Sequence, residues 1–330
     1  MTDVAVLGAG SWGTVLADVL ARKGLDVHLW AYESDVAQQI NDQHENTAFL
    51  PGVALTSTLR ATSDLVAAVQ GAPVICSVVP SHVSRTVWQT IAPTVTRGTR
   101  LVCASKGIEI DTLLRMDGVA AETLPQATFV ALSGPSFAEE VHAKLPTAIV
   151  AASRDAAAAA ETQRLFSMET FRIYSSDDVT GVTLGGSLKN SIAIAAGILD
   201  GLGSGHNARA ALLTRGLAEI ARLGMALGAN TATFAGLAGM GDLILTCTGA
   251  LSRNRQLGMA LAGGSTVKEF YATHNTVVEG VNTALAASRL ADRHGVELPI
   301  TQQVAAILFE NASPRESIRA LMERTLKAER

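Results

Sequence analysis

Apolar and polar positions along the chain follow two regimes. Through about residue 174 the apolar residues come in short runs bounded by glycine, proline or serine. Residues 3–8, 26–30, 59–62, 73–79, 100–104, 127–132, 147–151 and 171–174 read as eight strands. Between them apolar residues recur at helical spacing. Residues 14–23 put Val15, Leu16, Val19 and Leu20 on one side, and Gly24 stops the run. Residues 34–43, 63–71 (with Ser63 as the cap) and 83–91 continue the alternation, and the alanine-rich run 155–161 reads as a solvated helix. Strands alternating with helices predict a mainly parallel sheet joined by right-handed crossovers.

After Tyr174 no strand pattern recurs and helices dominate. In the run 182–202, Leu184, Leu188, Ile192 and Leu199 recur at helical spacing, while Gly185, Gly186, Ala193, Ala196 and Gly197 cover much of the remaining surface. A helix that is apolar or small all round is a buried one. The glycine-rich stretch 201–206 reads as a mobile loop, with Asn207 as a cap for a helix reaching about residue 227. Further helices are expected from Ser252 onward and over 278–294, 300–310 and 314–326.

The first strand runs directly into Gly8-Ala-Gly-Ser-Trp-Gly13, and a helix and a second strand follow. This is the context that the dinucleotide-binding G-x-G-x-x-G fingerprint requires. Gly8 makes the tight turn, Gly10 lets the backbone approach a pyrophosphate, and Gly13 allows close helix–strand packing. The helix N-terminus offers N–H groups and partial positive charge to phosphates. The chain therefore reads as a Rossmann-type domain over residues 1–178 and an all-helical domain over 179–330. At the end of the second strand, an acidic residue favours NAD and a basic one NADP. Here Tyr32-Glu-Ser34 offers Glu33 and no cation; Tyr32 could stack on adenine or lie in a solvated loop.

In parallel sheets ligands bind beyond the carboxyl ends of the strands. Those ends carry Pro80-Ser-His82, Ser105-Lys-Gly107 and Ser133-Gly-Pro-Ser136. Lys106 at such a rim is a candidate electrophile or phosphate ligand, or a turn lysine; His82 is a candidate cofactor contact or a helix-capping residue. In the helical half, Lys189 is the one cation of the 182–202 run, and it sits mid-helix where snorkelling cannot reach water. A buried ammonium needs partners and can exchange a proton near neutral pH; a structural lysine paired with a carboxylate is the competing reading. Asn190 beside it can orient a second polar group. Asp242 could accept a hydrogen bond from Lys189 or cap a helix, and Thr246 lies one turn further on if that segment is helical. Arg253 and Asn254 open a helix suited to phosphate, though at most one of Arg253 and Arg255 need face a site. The Lys189 helix stands at the domain junction, where clefts form.

Composition narrows the rest. At 330 residues the chain can bury a large core. The formal net charge is −4, so no basic footprint points to nucleic acid. Cys76, Cys103 and Cys247 are scattered without metal-ligand spacing and read as reduced thiols of a cytoplasmic protein; no metal is expected. No basic stretch precedes the first apolar run, so a signal peptide is not expected. Lys189, Asn190 and Asp200 argue against membrane insertion of the long apolar helix.

These residues resemble the bacterial NAD(P)-dependent glycerol-3-phosphate dehydrogenase family over nearly the whole chain. The matching motifs, in order, are Gly8-Ala-Gly-Ser-Trp-Gly-Thr14, Val79-Pro-Ser-His82, Ser105-Lys-Gly107, Ser133-Gly-Pro-Ser-Phe-Ala138, Leu184-Gly-Gly-Ser-Leu-Lys-Asn190, Asn207-Ala-Arg-Ala210, Gly241-Asp-Leu-Ile-Leu-Thr-Cys-Thr248, Ser252-Arg-Asn-Arg255, Val278-Glu-Gly280 and Leu298-Pro-Ile300. The resemblance implies reversible hydride transfer between NADH or NADPH and dihydroxyacetone phosphate, giving sn-glycerol 3-phosphate for phospholipid synthesis. It implies Lys189 as general acid/base. Lys106 would touch both cofactor and substrate, and Gly134, Ser136, Asp242, Ser252, Arg253 and Asn254 would touch substrate. Ser11, Trp12, Ala138, Val277 and Glu279 would touch cofactor, with Arg253 reaching it from the phosphate. It also implies a helical domain of the 6-phosphogluconate dehydrogenase C-terminal type and a cytoplasmic homodimer. The family often has Arg or His near positions 32 and 33, and this chain departs from that.

Two other readings share the architecture. A 3-hydroxyacid or 6-phosphogluconate-type dehydrogenase would space its Lys and Asn about one turn apart, whereas Lys189 and Asn190 are adjacent. A non-catalytic dinucleotide sensor would leave a buried lysine with nothing to protonate.

Overall fold

The computed structural model describes residues 3–274, 277–326, 328 and 329. It divides into two compact units: Met1–Glu109 with Leu114–Thr183, and Ile110–Leu113 with Leu184–Arg330.

The first unit is built on all eight expected strands: β1 (Val4–Leu7), β2 (Val27–Trp30), β3 (Arg60–Thr62), β4 (Val74–Ser77), β5 (Arg100–Cys103), β6 (Thr128–Ser133), β7 (Thr147–Ala152) and β8 (Phe171–Ser176). They form one sheet in the order β3-β2-β1-β4-β5-β6-β7-β8. Neighbours pair in parallel except β6 and β7, which are antiparallel. Core residues pack on both faces of the sheet, which is why the central β1 and β4 are buried along their whole length, whereas β8 at the edge alternates buried Phe171 and Ile173 with exposed Arg172 and Tyr174. In β1, Val4 and Val6 belong to one core with residues of α1 (Ser11–Arg22) and α2 (Ser34–Gln43). Ala5 and Leu7 belong to the opposite core, with residues of α3 (Leu65–Val69), α4 (Ser81–Ile91) and α5 (Met116–Thr123). In that core the buried Trp88 indole N–H donates to Ser77 Oγ at 3.0 Å. The short α6 (Ala138–His142) and α7 (Ala156–Phe166) contribute Val141, Ala158 and Phe166 to the first core.

Two local expectations change here. The cap of α3 is Asp64, not Ser63: its carboxylate accepts from the Val66 and Ala67 N–H groups, which an aspartate one residue nearer the helix reaches better. The alanine-rich α7 is not wholly solvated, because Ala158, Ala159, Thr162 and Phe166 are buried.

The helical stretch opens with α8 (Val179–Gly201), and the division between the two units falls inside it, between Thr183 and Leu184. Although α8 is long and apolar enough to cross a membrane, 89 % of its most apolar window is buried by protein. Then come α9 (Gly205–Ala226), α10 (Thr231–Phe234), a π-helical turn (Leu237–Gly241), α11 (Asp242–Thr248), α12 (Arg253–Ala262), α13 (Val267–Thr273), α14 (Glu279–Arg293), α15 (Pro299–Phe309) and α16 (Pro314–Met322). Ile194 and Ile198 of α8 share a core with Leu257, Phe270, Val281 and Val304. The expected mobile loop at 201–206 shrinks to three residues between α8 and α9. Gly203 and Gly205 there adopt left-handed φ values of 67° and 84°, which let the chain reverse at once. Asn207 consequently lies inside α9 rather than capping it.

Candidate active site

Each unit carries one group of the expected residues. In the first unit, β1 is followed at once by Gly8, whose φ of 105° lies where only glycine is comfortable. A Cβ on Gly13 would stand 1.9 Å from the Gly8 carbonyl oxygen, so the first turn of α1 lies directly on the glycine turn. A Cβ on Gly10 would meet nothing within 4 Å, which leaves open space beside the backbone. No side chain caps the N-terminus of α1. Open space, N–H groups of a first helical turn and the positive end of the dipole together fit the pyrophosphate of a dinucleotide.

Ser11 and Trp12 are the first two residues of α1. Ser11 Oγ donates to the Phe49 carbonyl at 2.5 Å, and the Trp12 ring packs edge-on against Phe171 with centroids 6.2 Å apart. Tyr32 is 80 % exposed just past β2, its ring edge-on to Trp30, and Glu33 is exposed beside it.

The ends of β4, β5 and β6 are tied to one another. Ser105 Oγ donates to the Val79 carbonyl at 2.6 Å. Lys106 Nζ donates to the Gly134 carbonyl at 3.3 Å, and Ser136 Oγ donates to the same oxygen at 3.0 Å. Gly134, at φ 146°, passes so near β7 that a Cβ would stand 2.8 Å from Ile149 Cα. Lys106, Gly134 and Ser136 are thus neighbours in space, while Ala138 begins α6. His82 is exposed in the first turn of α4.

In the second unit Lys189 is 6 % exposed, Asp242 1 % and Thr246 5 %. Lys189 Nζ donates to Asp242 Oδ1 and, at 2.7 Å, to Thr246 Oγ1. Asp242 is the first residue of α11 and Thr246 lies one turn later, so both face α8 from the same side. The π-helical turn before them is closed by the Gly241 N–H donating to the Gly236 carbonyl at 3.1 Å. Its single-turn geometry, found often at functional sites, sets where α11 begins. Cys247, on the same helix, is buried, and burial pushes its thiol up to about 12, which makes it inert.

A second polar string runs beside the first. Asn254 Nδ2 donates to Asn190 Oδ1 at 3.1 Å, and Asn254 Oδ1 accepts from the Gly280 N–H at 2.9 Å. The adjacent asparagine of α8 is therefore linked through the start of α12 to the start of α14, where Glu279 is the first residue. Val277, just before, is 44 % exposed. Ser252 is buried and caps α12, accepting from the Arg255 N–H at 3.3 Å; Arg253 is the first residue of that helix. Arg255 is committed elsewhere: its Nε donates to Asp200 Oδ2 at 2.6 Å, and Asp200 also takes Arg209. Arg255 therefore faces Asp200, while Arg253 stands at the N-terminus of α12.

The sequence did not single out Asn46. This fully buried side chain donates to the Ala9 carbonyl at 2.8 Å, inside the glycine fingerprint. No local signal separates it from an ordinary loop asparagine. Among the described residues no group of three or more His, Cys, Asp or Glu side chains could hold a metal ion.

Residues 3–159 match the family model for the N-terminus of NAD-dependent glycerol-3-phosphate dehydrogenase, and residues 178–319 match the model for its C-terminus. A glycerol-3-phosphate dehydrogenase (NAD(P)+) of Geobacter metallireducens is 54 % identical over 330 residues, covering 99 % of this chain and 98 % of its own. The protein of the same name from Geobacter sulfurreducens is likewise 54 % identical over the same shares. The crystal structure of glycerol-3-phosphate dehydrogenase from Coxiella burnetii matches with a TM-score of 0.94 at 43 % identity, covering 97 % of this chain and 98 % of that one.

Proposed function

The chain belongs to the NAD-dependent glycerol-3-phosphate dehydrogenase family, and on that premise we propose that its own Lys189 is the acid/base of that family's reaction. It is an NAD(P)-dependent oxidoreductase that interconverts dihydroxyacetone phosphate and sn-glycerol 3-phosphate. The observation that carries the proposal is the buried contact of Lys189 with Asp242 and Thr246.

Nicotinamide dinucleotide, when bound, supplies the hydride in one direction and accepts it in the other. Lys189 Nζ holds the proton that the carbonyl oxygen of dihydroxyacetone phosphate needs as its carbon is reduced, and takes it back from the alcohol in reverse. Asp242 offsets the cost of burying the ammonium, and with Thr246 it fixes the direction of the Nζ–H bonds. Arg253 and the first N–H groups of α12 hold the substrate phosphate, with Ser252 and Asn254 shaping that corner. Lys106, Gly134 and Ser136 supply a second polar cluster for substrate, and Lys106 also reaches the cofactor. Gly8, Gly10, Ser11, Trp12 and Gly13 hold the dinucleotide phosphates, Tyr32 the adenine end, and Ala138, Val277, Arg253 and Glu279 the remainder. We read the unit of Met1–Glu109 and Leu114–Thr183 as the dinucleotide-binding domain and that of Ile110–Leu113 and Leu184–Arg330 as the substrate domain, a division five residues past the expected 178/179. Resemblance to the family supports a cytoplasmic homodimer that feeds phospholipid synthesis.

Glu33, with no Lys or Arg between Ala31 and Ser34, supports a preference for NADH, since a 2′-phosphate would meet a carboxylate there. The test is oxidation of NADH and NADPH in parallel by the purified protein with dihydroxyacetone phosphate. Turnover with NADH faster at equal subsaturating concentration is expected. No turnover with either dinucleotide, or activity only on a hydroxyacid, would overturn the reading.

A further inference from the structure

Asn46 lies beyond the end of α2, thirty-seven residues from Ala9, yet its side chain is fully buried against the glycine turn. Both hydrogens of its amide are used on that turn. Nδ2 donates to the Ala9 carbonyl at 2.8 Å and to Thr14 Oγ1 at 2.8 Å, and Thr14 Oγ1 in turn donates to the Ala9 carbonyl at 3.2 Å. Oδ1 accepts from the Phe49 N–H at 3.2 Å, so a flipped amide would set oxygen against oxygen and N–H against N–H. The segment is closed on itself by the Leu50 N–H donating to the Asn46 carbonyl at 2.7 Å. It is pinned a second time where Ser11 Oγ meets the Phe49 carbonyl.

The consequence follows from the planarity of the peptide unit. In a trans peptide the carbonyl and the next N–H point in opposite directions. Two donors hold the Ala9 carbonyl inward, so the Gly10 N–H points the other way, and a Cβ on Gly10 would meet nothing within 4 Å, so the space beside this residue is open. Released, the Ala9–Gly10 peptide could rotate and turn a carbonyl toward the space an anion would take. We infer that Asn46 is a positioning residue for dinucleotide binding, which holds the Ala9 carbonyl inward so that the Gly10 N–H and the first turn of α1 face the cofactor phosphates. The inference rests on the reading of Gly8–Gly13 as the phosphate loop. Asn46 itself touches no reacting atom.

The test is titration of NADH and NADPH binding to wild type, Asn46→Ala and Thr14→Val, with steady-state kinetics on each. Asn46→Ala should weaken dinucleotide binding by about tenfold. At saturating dinucleotide, kcat and the KM for dihydroxyacetone phosphate should stay within about twofold, a split that general loss of folded protein would not produce. Thr14→Val keeps the volume of the side chain and removes one of the two acceptors of Asn46. It should weaken binding severalfold and carries the test if Asn46→Ala does not fold. A folded variant with wild-type dinucleotide affinity, or one whose kcat falls as far as its affinity, would overturn the role. Wild-type protein that binds neither dinucleotide would overturn the loop reading and the role with it, a result visible before any substitution is made.

Discussion

Gly185 of α8 and Ala238 of the π-helical turn approach so closely that a Cβ on the glycine would stand 2.3 Å from the alanine carbonyl oxygen. Gly185 precedes Lys189 by one helical turn, and Ala238 precedes Asp242 by about one turn. This backbone contact therefore sets how near the carboxylate comes to the ammonium. A methyl group at Gly185 meets backbone, which cannot swing aside. Gly185→Ala should cost about 1–3 kcal/mol of stability by overpacking. It should also lower kcat by at least about tenfold as Asp242 moves off, since such displacements cost catalysis more than binding. Urea denaturation and steady-state kinetics on the same preparation check both.

Asp242→Asn keeps the shape of the pair and removes its negative charge. Lys189 would then lose the carboxylate that it donates to while staying buried, and removing one partner of comparable buried pairs costs about 3–5 kcal/mol. Turnover should fall by on the order of a hundredfold, because the proton on Nζ is no longer held in one direction. The drop in melting temperature and the drop in kcat should appear together. Loss of activity with full stability would mean that Asp242 acts on substrate and not through Lys189.

Elsewhere in the same unit, Glu219 of α9 is 3 % exposed, and its carboxylate accepts from the Ile300 and Thr301 N–H groups and from Thr301 Oγ1, at 2.7, 3.2 and 3.2 Å. It stands in for the missing side-chain cap of α15. Burial pushes its pKa up from 4.5 to about 7, against the pull of the Ile300 and Thr301 donors and Arg222. Between those values the folded protein holds a proton that the unfolded chain releases. Stability from this group is therefore complete below about pH 4.5 and is lost as pH rises through 7, at up to about 1.4 kcal/mol per pH unit. Glu219→Gln removes the titration and keeps an acceptor. Relative to wild type, the variant should gain stability between pH 5 and pH 8 in urea melts. An unchanged difference across that range would contradict the assignment.

Most of this architecture is legible in the amino-acid sequence. All eight strands are, the central ones because a strand buried on both faces leaves a short apolar run that glycine and proline punctuate, as in 3–8 and 73–79. Lys189 is legible for the opposite reason, as a charge where the pattern allows none. The elements that escaped are set by tertiary contact. The mobile loop expected at 201–206 is only three residues long because two left-handed glycines turn the chain within it. The π-helical turn is fixed by packing of Gly185 and Gly239 against backbone, which periodicity does not encode. Asn46 and the Asn190–Asn254–Gly280 string join residues far apart in the chain, and a single asparagine carries no mark of its partner.

The central claim is that Lys189 carries the proton. The most direct measurement is single-turnover oxidation of NADH with dihydroxyacetone phosphate by Lys189→Ala, beside dinucleotide titration of the same variant. The account predicts that the chemical step slows by at least about a thousandfold while dinucleotide affinity stays within about twofold, since general acid catalysis supplies 10²–10⁴ and the substrate also loses a cation. A variant that turns over at the wild-type rate would contradict it.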